Sequence, residues 1–332
     1  MAKRNRVTIR DVAAAAGVSV ATVSRVVNGH TGVDPDLVTK VTEAVRDHGY
    51  VPNPTGRALR RQVANLWNVI VPDLNVFYTQ VVAAIESVAM DNGIAVLLSN
   101  TQEQLEREQH YVRTAAAQQV AGVVIAVASR DDSDLSPLVE THTPTVLIDR
   151  QLAGFAADSV TLDNVLAGRL AAEHLLEQGF RAPACVSGPE AVSTAQERLE
   201  SFRATLAEHG VQLPETRVAR AQLSPESARA ATAAMLQSDD PPDSMYAVTA
   251  SLTLGAYHAL KANPGHVGLV GQDDDLWASL VQPSVSVIRQ PTVELGQAAA
   301  GQLLRRIAGD KTPAKAMVMA PRLVVRESSK RH

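Results

Sequence analysis

Apolar positions follow two regimes along the chain. Up to about residue 48 they recur at three- and four-residue spacing, and from Leu66 onward short unbroken apolar runs alternate with amphipathic stretches. In the first regime Ile9, Val12, Ala13 and Ala16 fall on one helical face, and Thr8 and Asp11 have the spacing of a capping box. A second helix follows Gly17-Val18-Ser19. Ser19 caps it, Val23, Val26 and Val27 form its inward stripe, and Val20, Ala21, Ser24, Arg25 and Asn28 point elsewhere. Asp34-Pro35, a cap followed by a first-turn proline, announces a third helix. It is expected to run to about His48 with Leu37, Val38, Val41 and Val45 inward.

The second regime predicts an α/β body. Strand-like runs "WNVIVPDL", "GIAVLLSNT", "AGVVIAVAS" and "PTVLIDR" alternate with helices expected from Tyr78 and Glu103. A second series follows: "APACVSGP", a helix from Ser193, "DSMYAVTA", a helix from Leu252, and "HVGLVGQDD". This alternation predicts a doubly wound parallel sheet occurring twice. Such sheets bind ligands outside the carboxyl ends of their strands. The polar residues ending the runs are Asp73, Asp149, Arg150, Asp273, Asp274 and Gln290, an acceptor-rich set suited to hydroxyl groups, and "GPEAVSTAQERLESF" adds Ser193, Thr194 and Arg198 near a helix start.

Between the regimes lies "NPTGRALRR", residues 53 to 61. Asn53 can cap and Pro54 suits the first helical position, yet Gly56 follows at once. About eight helical residues are too few to stand alone in water, and the glycine costs roughly another 1 kcal/mol. This segment is expected to fold only against a partner.

Charge sharpens the division. The 332 residues carry a net charge of −4, but residues 1–62 hold ten Lys/Arg against five Asp/Glu, and the remainder 21 against 30. The basic head is therefore the part expected to meet a polyanion. Aromatics make up only 3% of the chain, so the core is expected to consist of Ala, Val and Leu. One cysteine, Cys185, excludes an intramolecular disulfide and suits a reducing compartment. No signal-peptide pattern and no apolar run of membrane-spanning length is present, which predicts a cytoplasmic protein. Phosphate-loop, dinucleotide, nucleophile-elbow and zinc-protease motifs are missing, and the nine histidines are scattered. Asp273-Asp274-Asp275 supplies hard oxygen ligands but reads better as a strand end followed by a helix cap. Neither catalysis, a metal nor a cofactor is expected.

Ala13, Gly17 and Val23 occupy the small, turn and branched-core positions of a helix-turn-helix, in a unit of three helices. The small polar outward residues of the second helix suit close approach to DNA. With "TIRDVAAAAGVSVATVSRVVNG" and "GYVPNPTGRALRR" in register, and the match continuing along the chain, the sequence resembles the LacI (lactose and galactose repressor) family of bacterial transcription regulators.

The resemblance implies a fold class: an all-α helix-turn-helix head with a hinge helix, and an α/β body of two doubly wound subdomains like periplasmic binding proteins. It places the head at residues 1–49, linker and hinge at 50–64, and an effector and dimerisation domain at 65–327. Within that domain the N-subdomain is expected at about 65–160 plus 292–320, and the C-subdomain at about 161–291 plus 321–327. It implies DNA contacts from Thr8, Ser19, Val20, Ala21, Thr22, Ser24, Arg25 and Asn28, with Val20 and Ala21 reading bases as in galactose-type repressors. The hinge would add Asn53, Thr55, Gly56, Ala58 and Leu59, the last as a minor-groove wedge. For the effector the resemblance matches Phe77, Tyr78, Asp149, Arg198, Asp273 and Gln290, with Leu223 and Thr249 at family contact positions, and the strand-end and helix-start readings add Asp73 and Thr194.

Four positions depart from the family. Thr249-Ala250 replaces an Asn-Asp pair, Leu223 a stacking aromatic, and Gly56 a common alanine. The expected protein is a homodimeric repressor of a palindromic double-stranded operator, controlled by a small molecule, a sugar first and a nucleoside or nucleobase second. A solute-binding protein fits the body alone, but would need an export signal and no DNA-binding head.

Overall fold

The computed structural model describes residues 7–27, 32–50, 64–263, 265 and 267–331, which divide into two compact units at residue 64. Asn28 and the hinge positions Asn53, Thr55, Gly56, Ala58 and Leu59 lie outside the described residues.

In the head, α1 spans Ile9–Ala16, α2 Val20–Val27 and α3 Pro35–Asp47. The Thr8 amide and hydroxyl both donate to Asp11 Oδ2 at 2.7 Å, and the backbone bond above all holds this carboxyl below the usual range. Gly17 takes φ +66°, and the amides of Gly17 and Val18 donate back to Ala14 and Ala13, ending α1 within one residue. Ser19 Oγ accepts from the Thr22 amide at 3.1 Å and starts α2. Val12, Ala13, Val23, Val41 and Ala44 form the buried centre. One inward assignment fails. Val38 is 38% exposed, at the margin of the α3 stripe, and the small Ala44 is buried instead, letting the helices close together.

The body holds two six-stranded sheets. The strands are β1 Ala64–Val71, β2 Ala95–Asn100, β3 Val120–Ile125, β4 Thr145–Ile148, β5 Asp158–Leu162 and β6 Pro183–Ser187. They continue as β7 Val218–Arg220, β8 Ser244–Ala247, β9 Gly268–Gln272, β10 Ser286–Arg289, β11 Ala316–Met319 and β12 Arg322–Val324. The first sheet runs β11-β5-β4-β3-β1-β2 and the second β12-β10-β9-β8-β6-β7, so each repeats the other's order. Their pairings are parallel except β10 with β12, where Ile288 faces Leu323. The chain passes between the sheets after β5, after β10 and after β11. The Asp163 amide donates to the Met319 carbonyl at 2.9 Å, joining the first and third passages.

The helices are α4 Val76–Asp91, α5 Leu105–Ala117, α6 Ser136–Glu140, α7 Asn164–Glu177, α8 Ser193–Glu208, α9 Pro225–Leu236, α10 Ala250–Lys261, α11 Leu276–Leu280 and α12 Thr292–Ile307. Two start earlier than their apolar periodicity indicated. Asn75 Oδ1 accepts from the Tyr78 amide and sets α4 going at Val76, and Thr249 Oγ1 accepts from the Leu252 amide and sets α10 going at Ala250. Conversely α5 begins at Leu105, because Gln102 and Glu103 both take positive φ.

Three helix pairs touch through a glycine. A Cβ on Gly168 of α7 would stand 2.3 Å from the Arg198 carbonyl of α8; Gly255 makes the equivalent approach to Pro225, and Gly296 to Val81 at 2.5 Å. The first sheet carries a core on each face, one built around Trp67, Phe77 and Tyr78 and the other from aliphatic residues, while the second surrounds Phe180, Phe202 and Tyr246.

Candidate functional site

In the head, α2 presents Val20, 42% exposed, together with exposed Ala21 and Arg25, while Thr8 and Ser19 are exposed at the starts of α1 and α2. Ser24 and Thr22 are half-buried, and the Thr22 hydroxyl shares a 2.9 Å hydrogen bond with Ser19 Oγ. A short apolar base, capped at its first turn, thus offers small side chains and one guanidinium on a single face.

In the body the sheets place two aspartates equivalently. Asp149 follows β4 and Asp273 follows β9, at φ +61° and +66°. Each amide donates to the neighbouring strand, Asp149 to Val160 and Asp273 to Ile288, both at 3.0 Å. This left-handed turn is strained for a non-glycine residue, and such strain collects at functional sites. Asp149 Oδ2 accepts from the Tyr78 hydroxyl at 2.6 Å; burial, then the Asp149 charge, drives the phenol well above its ordinary range. Phe77 meets Tyr78 edge-on, with ring centres 4.9 Å apart.

Asp273 Oδ1 accepts from Gln290 Nε2 at 2.6 Å. Burial pushes the Asp273 carboxyl up to about 6, against the opposing pull of the Arg198 charge and the Gln290 bond. Arg198, buried on α8, donates through Nε to Asn164 Oδ1 and through Nη1 to the Val248 carbonyl, each at 2.8 Å. Thr194 is buried one turn ahead of it.

Two strand-end residues that the sequence offered as ligand contacts are already paired with charged partners. Arg150 is buried, forks onto Glu103 with two bonds of 2.7 Å and donates to the Val127 carbonyl. Burial opposes its charge, but Tyr78, Glu103 and Asp149 outweigh that and raise its pKa. Asp274 is held by Arg326 at 2.6 Å, with Arg289 at 3.7 Å. Both arginines lock the rims of the sheets.

Phe77, Asp273 and Gln290 line one small cavity of about 40 Å³ with Val76, Gln80, Asp274, Asp275, Arg289 and Thr292. Gln80 Oε1 accepts from Thr292 Oγ1 at 2.7 Å across it. Gln290 Oε1 and Asp275 Oδ1 are buried there without a hydrogen-bond partner among the described residues. Of the other expected contacts, Asp73 is exposed and bonded to the Leu74 amide, Leu223 packs against Gly188 and the second core, and neither they nor Tyr78, Asp149, Thr194, Arg198 and Thr249 line this cavity. Thr249 is spent largely on capping α10 and shares a 3.2 Å contact with Ser251. Sequence reasoning missed Asn164, Gln80 and Asp275. The signal for Asn164 was present in "TLDN", a polar pair closing an apolar strand.

A larger cavity, about 360 Å³, opens at the opposite ends of β4 and β5, beside Thr145 and Asp158. Its charged groups, Asp158 and Arg306, are already paired at 2.6 Å, so the smaller site carries the unmet polar demand. Among the described residues no cluster of three or more His, Cys, Asp or Glu could hold a metal ion, and no helix is long and apolar enough to cross a membrane.

Residues 67–322 match the family described as periplasmic binding proteins and sugar binding domain of LacI family, and residues 8–53 match bacterial regulatory proteins, lacI family. The ribose operon repressor of Halalkalibacterium halodurans is 30% identical over 331 residues, covering 97% of each chain. A transcriptional regulator CelR–cellobiose complex is 29% identical with a TM-score of 0.74, over 97% of this chain and 100% of that one. The lac repressor dimer bound to operator and the anti-inducer ONPF is 27% identical with a TM-score of 0.87, over 98% and 100%.

Proposed function

The chain belongs to the LacI family of bacterial regulatory proteins, and from that premise we propose a cytoplasmic, non-catalytic repressor that binds a palindromic operator as a dimer and answers to a sugar. One observation carries the effector reading: Gln290 Oε1 and Asp275 Oδ1, two buried acceptors without partners, line the cleft beside Asp273. A site with surplus acceptors suits a ligand rich in donors, which is what a sugar's hydroxyls supply. The ribose and cellobiose in the names of similar proteins agree with it. Thr249-Ala250, lacking an amide and a carboxylate, shifts recognition toward Asp149, Arg198, Asp273 and Gln290, with Phe77 at one wall and Tyr78 holding Asp149.

Forty cubic ångströms hold only a few waters, roughly 10–15 Å³ of this measure being needed for each. A sugar therefore enters when the sheets stand further apart, and it shifts operator affinity only by binding one arrangement better than the other. On DNA, Val20, Ala21 and Arg25 read bases while Thr8, Ser19, Thr22, Ser24 and Asn28 hold phosphates. The hinge, with Asn53, Thr55, Gly56 and Ala58, folds on the operator and inserts Leu59 as a wedge.

The dimer face includes β2, an edge strand leaving Leu97 and Leu98 39% and 41% exposed. An apolar edge of this kind calls for a cover, which a second copy provides.

A thermal-shift screen of D-ribose, D-galactose, cellobiose and nucleosides tests the effector class, since a ligand bound only by the folded state raises its apparent stability. A shift with sugars, lost in Arg198→Ala while operator affinity persists, is expected. A shift confined to nucleosides overturns the sugar reading.

A further inference from the structure

The chain passes between the sheets at equivalent places, after β5 and after β10, and each crossover carries an amide side chain bonded to a charged cleft residue. Gln290, after β10, donates to Asp273. Asn164, after β5, accepts from Arg198 Nε at 2.8 Å, and its Nδ2 donates to Glu197 Oε2 at 2.9 Å. Both Asn164 and Arg198 are only 4% exposed. The orientation of this amide is forced by its neighbours. A guanidinium can only donate and a carboxylate only accept, so Oδ1 must face Arg198 and Nδ2 must face Glu197.

The second anchor, Arg198 Nη1 to the Val248 carbonyl, leaves Nη2 without a bond among the described residues. Two anchors on one planar fork fix its plane as well as its position. Asn164 is itself held, because Asp163 caps α7 through the Leu166 amide and ties its own amide to Met319. Close packing of Gly168 against the Arg198 carbonyl sets the distance between α7 and α8.

We propose that Asn164 is a positioning residue, which from its place on a crossover fixes the guanidinium plane of Arg198 so that Nη2 meets the effector. This rests on the reading above that Arg198 contacts the ligand, but the positioning half is testable without one. In the full-length protein, ¹⁵N spectra of arginine Nε–H groups should show a slowly exchanging Arg198 signal, assigned by its loss in Arg198→Lys. Asn164→Ala should abolish that signal and turn the guanidinium in a crystal structure, whereas Asn164→Asp combined with Glu197→Gln, which keeps an acceptor for Arg198 and a donor–acceptor pair between positions 164 and 197, should restore both. If Asn164→Ala does not fold, Asn164→Ser, too short to reach, gives the same comparison. An Arg198 signal and orientation unchanged without the amide overturns the proposal.

With D-ribose and cellobiose as probes, the sugar that binds wild type should bind Asn164→Ala about tenfold or more weakly and the Asn164→Asp/Glu197→Gln double variant nearly normally. Equal affinity in Asn164→Ala also counts against it. If neither sugar binds wild type, the sugar reading loses its support, while the spectra still decide the role of Asn164.

Discussion

Asp273 shows how one residue reports on the cleft. An ordinary aspartate titrates near 3.9, whereas burial brings this one to about 6. Between those values the folded chain holds a proton that the unfolded chain has released, so this contribution to stability is complete below about pH 4 and is lost as pH rises through about 6. Asp273→Asn removes the titration. The stability of wild type minus that of the variant, from urea unfolding, should therefore fall between about pH 4 and pH 6 and level off above; a flat difference would refute the burial argument. Hydroxyl donors favour the ionised carboxylate, so effector affinity should rise as pH passes through about 6. Little of this environment was legible in the sequence, which placed Asp149, Asp273 and Gln290 at strand ends without showing that Asp273 and Gln290 bond each other. It ranked Arg150 and Asp274 equally with them, because periodicity gives a residue's place on an element and not the partner, Glu103 or Arg326, that a long-range fold supplies.

At the scale of elements, glycine separates packing from propensity. Gly168 has no room for a Cβ, so Gly168→Ala should push α8 off α7, cost about 1–3 kcal/mol and disturb Arg198. Gly301, inside α12, has nothing within 4 Å of a built Cβ, and Gly301→Ala should stabilise by about 0.5–1 kcal/mol. Urea unfolding of the two variants distinguishes these outcomes, and a neutral or stabilising Gly168→Ala would show that helix packing is not what holds Gly168. Element order was readable because strands and helices differ in apolar period, and the caps of α1, α2 and α3 were readable because Thr8, Ser19 and Asp34 act locally. The starts of α4 and α10 were missed where Asn75 and Thr249 cap ahead of the apolar stripe. Close approach at Gly168 could not be read at all, since it depends on α8, about thirty residues further on.

The whole molecule joins two electrostatic characters, a basic head and an acidic body, and only the head's surplus favours DNA. Each phosphate neutralised releases counterions, so operator affinity should fall with salt at a slope of about −0.9 per contact, and six or more contacts would lose about 10³-fold or more between 50 and 200 mM. Two heads acting on two half-sites should double the slope of one head. Leu97→Asp places a carboxylate on the exposed edge of β2 and should convert the dimer to a monomer in sedimentation. The same variant should retain α1, α2 and α3, because Val12, Val23 and Val41 pack within the head. Its salt slope on a single half-site should then match the wild-type head's share, about half the slope of the intact dimer. A monomer keeping the full slope would show that the contacts do not divide between two heads, and a Leu97→Asp protein that stays dimeric would move the interface away from β2.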